Sequence, residues 1–288
     1  MNVALVLAGR NLRLFFRDRT QVFFSLLSVF IVIGLYVLFL GDMMNNGVAA
    51  PGVDTRFLMD SWIMAGLVTV TSVTTIMGAF GILIEDKSRR IVKDFKSAPI
   101  RRWQIVAGYF LSALAIGMIM CTVALALTEL YVVSAGGRLL PAGAVLRSMA
   151  VLMLAVLCSC AMIFCLASLF QTSGSFGTAS MIVGTMIGFL TGIYIPIGSL
   201  PDGVQTVIRL FPPTHAAALL RQIMMEVPMG EVFAGAPPVV VRDFSTKLGV
   251  ELTFFGEPVS FGFSLAFLVL TTLAFFGLAL VIVRHKQT

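Results

Sequence analysis

Few residues of this sequence are of the types that catalyse reactions or bind metal ions. Two of its 288 residues are histidines and four are cysteines. The cysteines lie in apolar segments with a spacing that fits no zinc pattern, so we interpret them as small buried residues between helices. They are Cys121, Cys158, Cys160 and Cys165. Because no nucleophile can be paired with a base, and His215 is placed as a residue of a hairpin, the sequence predicts neither an enzyme nor a metal site.

A nucleotide-binding site is also not predicted. A phosphate-binding loop needs a lysine directly after a glycine, and none of the five lysines has one. We therefore expect no cofactor on this chain. Any ATP hydrolysis coupled to it would take place on another chain.

The composition excludes an ordinary soluble domain. The mean hydropathy is +1.00 and 12% of the residues are charged, against about 25% in soluble domains. A water-soluble core cannot hide this much apolar surface, so lipid is the expected solvent. The net charge of +6 does not indicate nucleic-acid binding, because the basic residues are sparse and interrupted by apolar runs.

Six apolar segments are long enough to cross a bilayer. A helix rises 1.5 Å per residue, so about 20 residues cover roughly 30 Å of hydrocarbon. The glycine-rich fifth segment is included because no charged residue lies between Gln171 and Asp202. The predicted spans are about 22–40, 61–84, 104–133, 145–169, 177–198 and 261–283. The sequence thus predicts an all-α polytopic membrane protein in which residues 1–288 form a single transmembrane domain.

Basic residues are distributed unequally between the two sides of these spans. The N-terminal segment, the 85–103 loop and the C-terminal tail carry thirteen Lys and Arg, while the short loops of the other side carry three. Loops rich in Lys and Arg stay in the cytoplasm. We therefore expect a protein of the cell (plasma or inner) membrane, with both termini cytoplasmic and residues 199–260 outside.

The outer segment contains an apolar stretch, residues 203–225, that we do not count as a span. It includes Arg209 and Arg221, and Pro212-Pro213 divides it into halves of about ten residues, each too short to cross. The sequence predicts a re-entrant or interfacial helical hairpin. Short strands or an irregular cap are expected in residues 237–258.

Residues 1–21 predict a helix that lies in the membrane surface. At helical spacing, one side of this segment is apolar and another is basic. The apolar residues are Leu5, Gly9, Leu12 and Phe16, and the basic ones are Arg10, Arg13 and Arg17. Such a helix anchors the chain to anionic lipid, and anchoring is compatible with a mechanical role.

The loop EDKSRRIVKDFKSAPIRRW, residues 85–103, holds seven of the 20 Lys and Arg. Pro99 predicts that a helix over 85–98 stops before it. A solvated loop would explain the charge, but not the apolar ridge of Ile91, Val92 and Phe95 or the three acids among the bases. We therefore favour an amphipathic helix that docks on another protein. Its candidate contact residues are Glu85, Asp86, Lys87, Arg89, Arg90, Ile91, Val92, Lys93 and Phe95.

Small and hydroxylated side chains mark two of the spans. In the fifth span, small residues recur every fourth position, a spacing that lets helices approach closely. They are Ser180, Gly184, Gly188 and Gly192. One interpretation is a functional surface, either the contact between two subunits or a moving wall of the transport path. The other is close packing within one subunit. In the second span, hydroxyls either line a weakly polar cavity or bond to carbonyls one turn back. The candidate pathway residues there are Thr71, Thr74 and Thr75.

Glu129 is the one acid well inside an apolar segment. A carboxylate within the membrane is a candidate proton site or cation contact. Counting about 20 residues from the inner end of the third span places Glu129 near the outer surface, where ionisation costs little. An interfacial position is therefore favoured, and a role in the pathway stays open.

The order of these elements resembles that of the type-2 membrane subunits of ABC exporters. The local similarity covers residues 85–108, where Phe95-Lys96-Ser97-Ala98-Pro99 resembles the family's ending of an apolar residue, a small residue and a proline. The outer stretch GIYIPIGSLPDGVQTVIRLFPPTHAAALLRQ is similar to the family's proline-punctuated hairpin. Arg90-Ile91 stands where many relatives have a Gly-Thr pair.

The resemblance implies that the 85–98 helix is a coupling helix, seated in a groove of a separate ABC ATPase subunit that binds ATP and Mg²⁺. It also implies that two copies of the chain, or a copy and a paralogue, assemble with spans two and five near the central path. The few intramembrane charges and many Phe, Met and Leu residues favour an amphipathic or lipid-like cargo, such as a drug or antibiotic. The alternative is an ion-coupled secondary transporter acting without an ATPase. It would need paired ionisable residues at mid-membrane and an internal repeat, and we find neither. A structural or signalling scaffold stays open.

Overall fold

The computed structural model describes residues 2–35, 55–97, 100–254 and 257–285. Over these residues the chain is helical, apart from one short 3₁₀ helix, Ile197–Ser199, and one two-stranded hairpin in which Thr253–Phe254 pairs antiparallel with Glu257–Pro258. The helices are α1 (Val3–Arg17), α2 (Arg19–Leu35), α3 (Arg56–Ser88), α4 (Ile91–Ser97), α5 (Arg102–Ser134), α6 (Ala142–Leu169), α7 (Ser173–Leu190), α8 (Asp202–Leu210), α9 (Pro212–Met224), α10 (Glu226–Val232), α11 (Pro238–Lys247) and α12 (Phe261–His285).

Within the described residues, five helices are long and apolar enough to cross a membrane. They are α3, α5, α6, α7 and the Phe261–Ile282 part of α12. The first predicted span, 22–40, coincides with α2 as far as Leu35, and residues 36–40 lie outside the described part of the chain. The count of six spans therefore stays a prediction.

Helix α3 lies at the centre of the bundle and packs against α5, α6, α7 and α9. Of its most apolar 18-residue stretch, 78% is buried inside the protein. Close packing at this centre depends on small residues. A Cβ atom added to Gly117 of α5 would lie 2.7 Å from side-chain carbons of both Ile76 and Val156. Helix α12 lies at the periphery, packed on α6 and α9.

The two ends of α3 are covered by different elements. Helices α1 and α4 contact its C-terminal end, which we call the basic face, and α9 and α10 pack against it farther along. The far end, at Arg56, we call the hairpin face. There the two halves of the predicted hairpin are α8 and α9, separated at Phe211 directly before Pro212-Pro213.

Two predictions about the hairpin face need correction. The span predicted at 177–198 is helical only to Leu190, because the chain turns at Gly192 with a φ of +69°. Residues 237–258 were expected to be strands or an irregular cap, but Pro238–Lys247 is a helix, with a proline in its first turn, and only the short hairpin after it is β-structure.

The predicted 85–98 helix is in fact two pieces. Helix α3 continues through Ser88, Arg89 caps it with an N–H bond to the carbonyl of Glu85 at 2.8 Å, and α4 begins at Ile91. Between them Arg90 has a φ of +64° and is the one described non-glycine residue with a positive φ. A residue with a side chain pays about 1–2 kcal/mol for this left-handed conformation. The turn lies where the sequence carries Arg-Ile in place of Gly-Thr.

Candidate functional site

The predicted docking residues divide into an exposed set and an inward set. Glu85, Arg89 and Arg90 are exposed at the end of α3, and an ion pair of 2.6 Å joins Glu85 to Arg89 one turn later. These three side chains form what we call the docking turn. They leave an exposed, charged surface at the basic face.

Asp86 differs from the prediction, because its side chain points into the protein. Both carboxylate oxygens accept hydrogen bonds from the Arg10 guanidinium, at 2.7 and 3.0 Å, and the Tyr109 hydroxyl donates another at 2.5 Å. Asp86 is 3% exposed. One carboxylate thus joins α1, α3 and α5, and it supports the docking turn from inside.

Arg10 and its neighbours extend this contact into what we call the Asp86 cluster. Arg10 lies 5.6 Å from the ring centroid of Phe95 in α4, and Asn11 donates a hydrogen bond to the Ser112 hydroxyl at 3.2 Å. The hydrogen bond with Asp86 raises the pKa of Arg10 above its ordinary value. The sequence analysis placed Arg10 on the basic stripe of the N-terminal helix and did not predict this contact.

Two further predicted contact regions also serve the chain itself. The Lys87 ammonium donates hydrogen bonds to the carbonyls of Ala167 and Phe170, at 3.1 and 3.5 Å. These carbonyls lie at the C-terminal end of α6, whose partial negative charge stabilises a nearby cation. Phe95 packs against the hydrophobic core, and Ile91 and Val92 are half-buried. Phe95 of the apolar ridge therefore faces the bundle, while Ile91 and Val92 keep part of their surface exposed. The side chain of Lys93 lies outside the described residues.

The small residues of the fifth span do not form one continuous stripe. Tyr194 fills the space beside Gly188, and Ile197 fills that beside Gly192, which lies past the end of α7. Gly184 has open space where a Cβ would stand, and the Ser180 hydroxyl returns to its own helix at the carbonyl of Phe176. The structure thus divides the stripe into a filled half near the hairpin face and an open half near the basic face.

A cavity of about 530 Å³ lies beside the open half, between α2, α3 and α7. We call it the pathway cavity. Its lining includes Asp18, Phe24, Thr74, Glu85, Ser180 and Gly184. Of the three candidate threonines only Thr74 reaches it, while Thr71 and Thr75 are fully buried between helices. The hydroxyls of Thr71 and Thr74 bond to carbonyls one turn back, those of Leu67 and Val70, at 2.9 and 3.2 Å.

A family model described as "ABC-2 family transporter protein" matches residues 55–281. The chain belongs to the ABC-2 transporter family. A comparison with curated proteins returned no match. The resemblance inferred from the 85–108 segment and the order of spans is thereby confirmed. This ABC-2 protein is a multi-pass membrane protein and a transport subunit.

At the hairpin face of this ABC-2 protein, Arg221 is completely buried. Its guanidinium donates to the carbonyls of Thr191, Gly192 and Gly249 at 3.0, 3.3 and 3.4 Å, and it lies 4.8 Å from the Trp62 ring centroid. Burial lowers the pKa of Arg221 to about 9, so the group is still protonated at neutral pH. We call these residues the Arg221 cluster. It joins α9 to α3, to the end of α7 and to the turn after α11.

His215 and Glu129 have structural partners at the same face. His215 bonds to the Ser264 hydroxyl at 3.1 Å and to the carbonyl of Arg209 at 2.9 Å, and burial lowers its pKa. Because a carbonyl only accepts, the second bond fixes the proton on Nε2. Glu129 accepts the backbone N–H of Leu140 at 3.1 Å, just beyond the end of α5. Glu129 lies in the last two turns of its helix, and its position at the membrane interface stays a prediction.

Proposed function

We propose that this chain is the permease subunit of an ABC exporter of the cell membrane, driven by a separate ATPase subunit that binds ATP and Mg²⁺. One observation carries the proposal. Helix α3 is continuous from the hairpin face to the docking turn, and the carboxylate in its last turn, Asp86, is bonded to two other helices. A surface that another protein can push is thus rigidly tied to the centre of the bundle.

The mechanism follows from that connection. A helix of 33 residues is about 50 Å long at 1.5 Å per residue, so a tilt applied at one end displaces the other. The ATPase subunits would press on the docking turns when ATP draws them together. The Asp86 cluster would pass the movement to α1 and α5, and the path would switch from inward to outward access. Both termini and the basic face would then lie in the cytoplasm.

A second subunit would complete the path at α7. Only 17% of the most apolar 18-residue stretch of α7 is buried within the chain. Large apolar side chains of this helix, such as Met181, Ile182 and Met186, are exposed. The open half of the small-residue stripe borders the pathway cavity on the same helix. We infer that a second copy or a paralogue covers this surface, with α3 and α7 of both subunits beside the central path.

The lining of the pathway cavity supports an amphipathic cargo. Phe24, Met77 and Phe176 offer apolar contacts, while Thr74 and the carboxylates of Asp18 and Glu85 offer polar ones. A compound with an apolar body and a polar or basic group, such as a drug or antibiotic, matches this mixture better than a sugar polymer or a metal ion.

The assignment is tested at the docking turn. The double variant Arg89→Glu, Arg90→Glu reverses two exposed charges without touching the Asp86 cluster. We expect it to insert normally and to lose at least about tenfold in co-purification with the ABC ATPase subunit, because charge reversal sets like charges against the partner. Arg13→Glu, an exposed reversal on α1, is the matched control and should retain binding. Undiminished binding by the double variant would refute the assignment. Phe95 is unsuited to this test, because its ring packs against its own chain.

A further inference from the structure

A second, larger cavity opens at the basic face between α5, α6 and α12. Its volume is about 1040 Å³, and it shares no lining residue with the pathway cavity. Pockets that bind small molecules usually measure about 300–1,000 Å³, so this one is large enough for an extended ligand. We call it the lateral cavity.

The inner wall of the lateral cavity is aromatic. The Phe110 ring stands edge-on to those of Phe276 and Phe164, with centroid distances of 5.4 and 6.4 Å. Beside them, a Cβ atom added to Gly277 would meet no atom within 4 Å. The glycine therefore leaves open, apolar space next to the three rings, which is suited to a hydrocarbon chain.

The charged side chains among the described residues that line the lateral cavity are basic. They are Arg102 and Lys87, and Lys87 also donates to the carbonyls of Ala167 and Phe170. Trp103 lies beside them with 57% of its surface exposed, as is typical of aromatic residues at the membrane interface. Cations at the edge of an apolar cavity favour an anionic occupant.

The depth of the cavity matches one leaflet. Its lining runs along α5 from Arg102 to Leu111, a rise of about 14 Å at 1.5 Å per residue. Half of a roughly 30 Å hydrocarbon core is about 15 Å. A molecule with its charge at the mouth and its tail along the rings would therefore extend through one leaflet.

We propose that the lateral cavity binds one acidic phospholipid from the leaflet at the basic face. An acyl chain packs against Phe110, Phe164 and Phe276, and the phosphate lies near Arg102 and Lys87. The bound lipid fills the space between α12 and the first turns of α5, which the cavity separates. Lipid binding at this site requires neither the ATPase subunit nor the pathway cavity.

The test is lipid retention by the full-length chain. The protein is placed in nanodiscs of equal phosphatidylglycerol and phosphatidylcholine, then released, and the retained lipid is counted by native mass spectrometry. We expect one phosphatidylglycerol per chain in clear excess over phosphatidylcholine. Arg102→Gln should lower its retention about fivefold, the contribution of one basic side chain near an anionic surface. Gly277→Leu should lower retention by filling the space beside the rings.

Two control variants match these changes. Arg101→Gln removes the neighbouring cation, which does not line the cavity, and Gly262→Leu adds a side chain to another open glycine of α12. Both should retain phosphatidylglycerol. Equal retention of the two lipids by the unmodified chain would overturn the proposal. So would full retention of phosphatidylglycerol by Arg102→Gln and Gly277→Leu, provided that both elute as monodisperse proteins.

Discussion

A charged group is buried at each end of the central helix α3, Asp86 at the basic face and Arg221 at the hairpin face, and the two are satisfied in opposite ways. The hairpin end also buries Asp60. At the basic face Asp86 meets a full counter-charge, Arg10, whose side chain is 33% exposed. At the hairpin face Arg221 is buried among backbone carbonyls and the Trp62 ring. Arg10 keeps part of its hydration, but Asp86 is buried, so the carboxylate depends on Arg10 and on the Tyr109 hydroxyl for compensation. Arg221 has no exposed surface and depends on the groups around it inside the protein. We infer that the Asp86 cluster passes movement between helices at the basic face, whereas the Arg221 cluster keeps the hairpin face of each subunit rigid.

The backbone follows the same division. At the hairpin face the left-handed turns are at Gly192 and Gly249, whose φ angles of +69° and +65° cost glycine little, and the carbonyls of both accept bonds from Arg221. At the basic face the left-handed residue is Arg90. The hairpin face is thus relaxed around its charge, while the docking turn carries backbone strain.

The largest effect is expected at the hairpin face. Arg221→Met keeps the apolar stem but leaves three buried carbonyls without their donor, each costing about 1–3 kcal/mol when unsatisfied. We expect a loss of about 2–4 kcal/mol in unfolding free energy, measured by thermal unfolding in detergent. Arg242→Met, at an exposed position of α11, should change stability by less than about 0.5 kcal/mol. A melting temperature equal to that of the unmodified chain would show that the Arg221 cluster does not hold the hairpin face together.

A substitution in the Asp86 cluster should reduce stability less than Arg221→Met does, but it should reduce transport driven by the ATPase subunit more. Asp86→Asn keeps the shape of the side chain but removes its charge, and a hydrogen bond to a charged group contributes about 1.5–3 kcal/mol. Part of that loss is offset, because Arg10, with a third of its side chain exposed, can turn to water. We expect ATPase subunits to bind Asp86→Asn normally, while transport falls at least about tenfold.

A double-mutant cycle separates this interpretation from simple destabilisation. Asp86→Asn and Arg10→Gln should each lose transport, and the double variant should lose little more, because the two residues act as one contact. Asp243→Asn, an exposed carboxylate of α11, should be unaffected. Strictly additive losses would mean that Asp86 and Arg10 act separately, and the comparison between the two ends of α3 would then fail.

Much of the bundle was predictable from the sequence, because crossing a bilayer depends on local hydropathy. The spans predicted at 104–133 and 145–169 differ from α5 and α6 by only a few residues at their ends. Side-chain partners were not predictable. Arg10 and Asp86 are separated by 76 positions, and helical periodicity reports nothing about such a pair.

Two errors of local prediction have local causes. The valine run after Pro238 favoured strands, since β-branched residues prefer them, yet the prolines at its start suit the first turn of a helix and α11 forms. The break after Ser88 was missed because nothing in an arginine marks a left-handed turn. The only sign was the Gly-Thr pair of relatives at the position of Arg90-Ile91, which the resemblance gave and the residues themselves did not.

The smallest effect tests the strain at Arg90. Arg90→Gly removes the left-handed penalty of about 1–2 kcal/mol, and glycine's greater unfolded-state entropy returns part of it. We expect a net gain in stability of up to about 1 kcal/mol, seen as a higher melting temperature. The matched change is Arg89→Gly, at a φ of −81°, where glycine relieves no strain and should cost about 0.5–1 kcal/mol in stability.

A gain in stability from Arg90→Gly together with a loss from Arg89→Gly would localise the strain to one residue. Equal losses from both variants would mean that the docking turn is not strained. A stabilised Arg90→Gly that also loses ATPase binding would show that the exposed guanidinium, despite its unfavourable backbone, contributes to the contact.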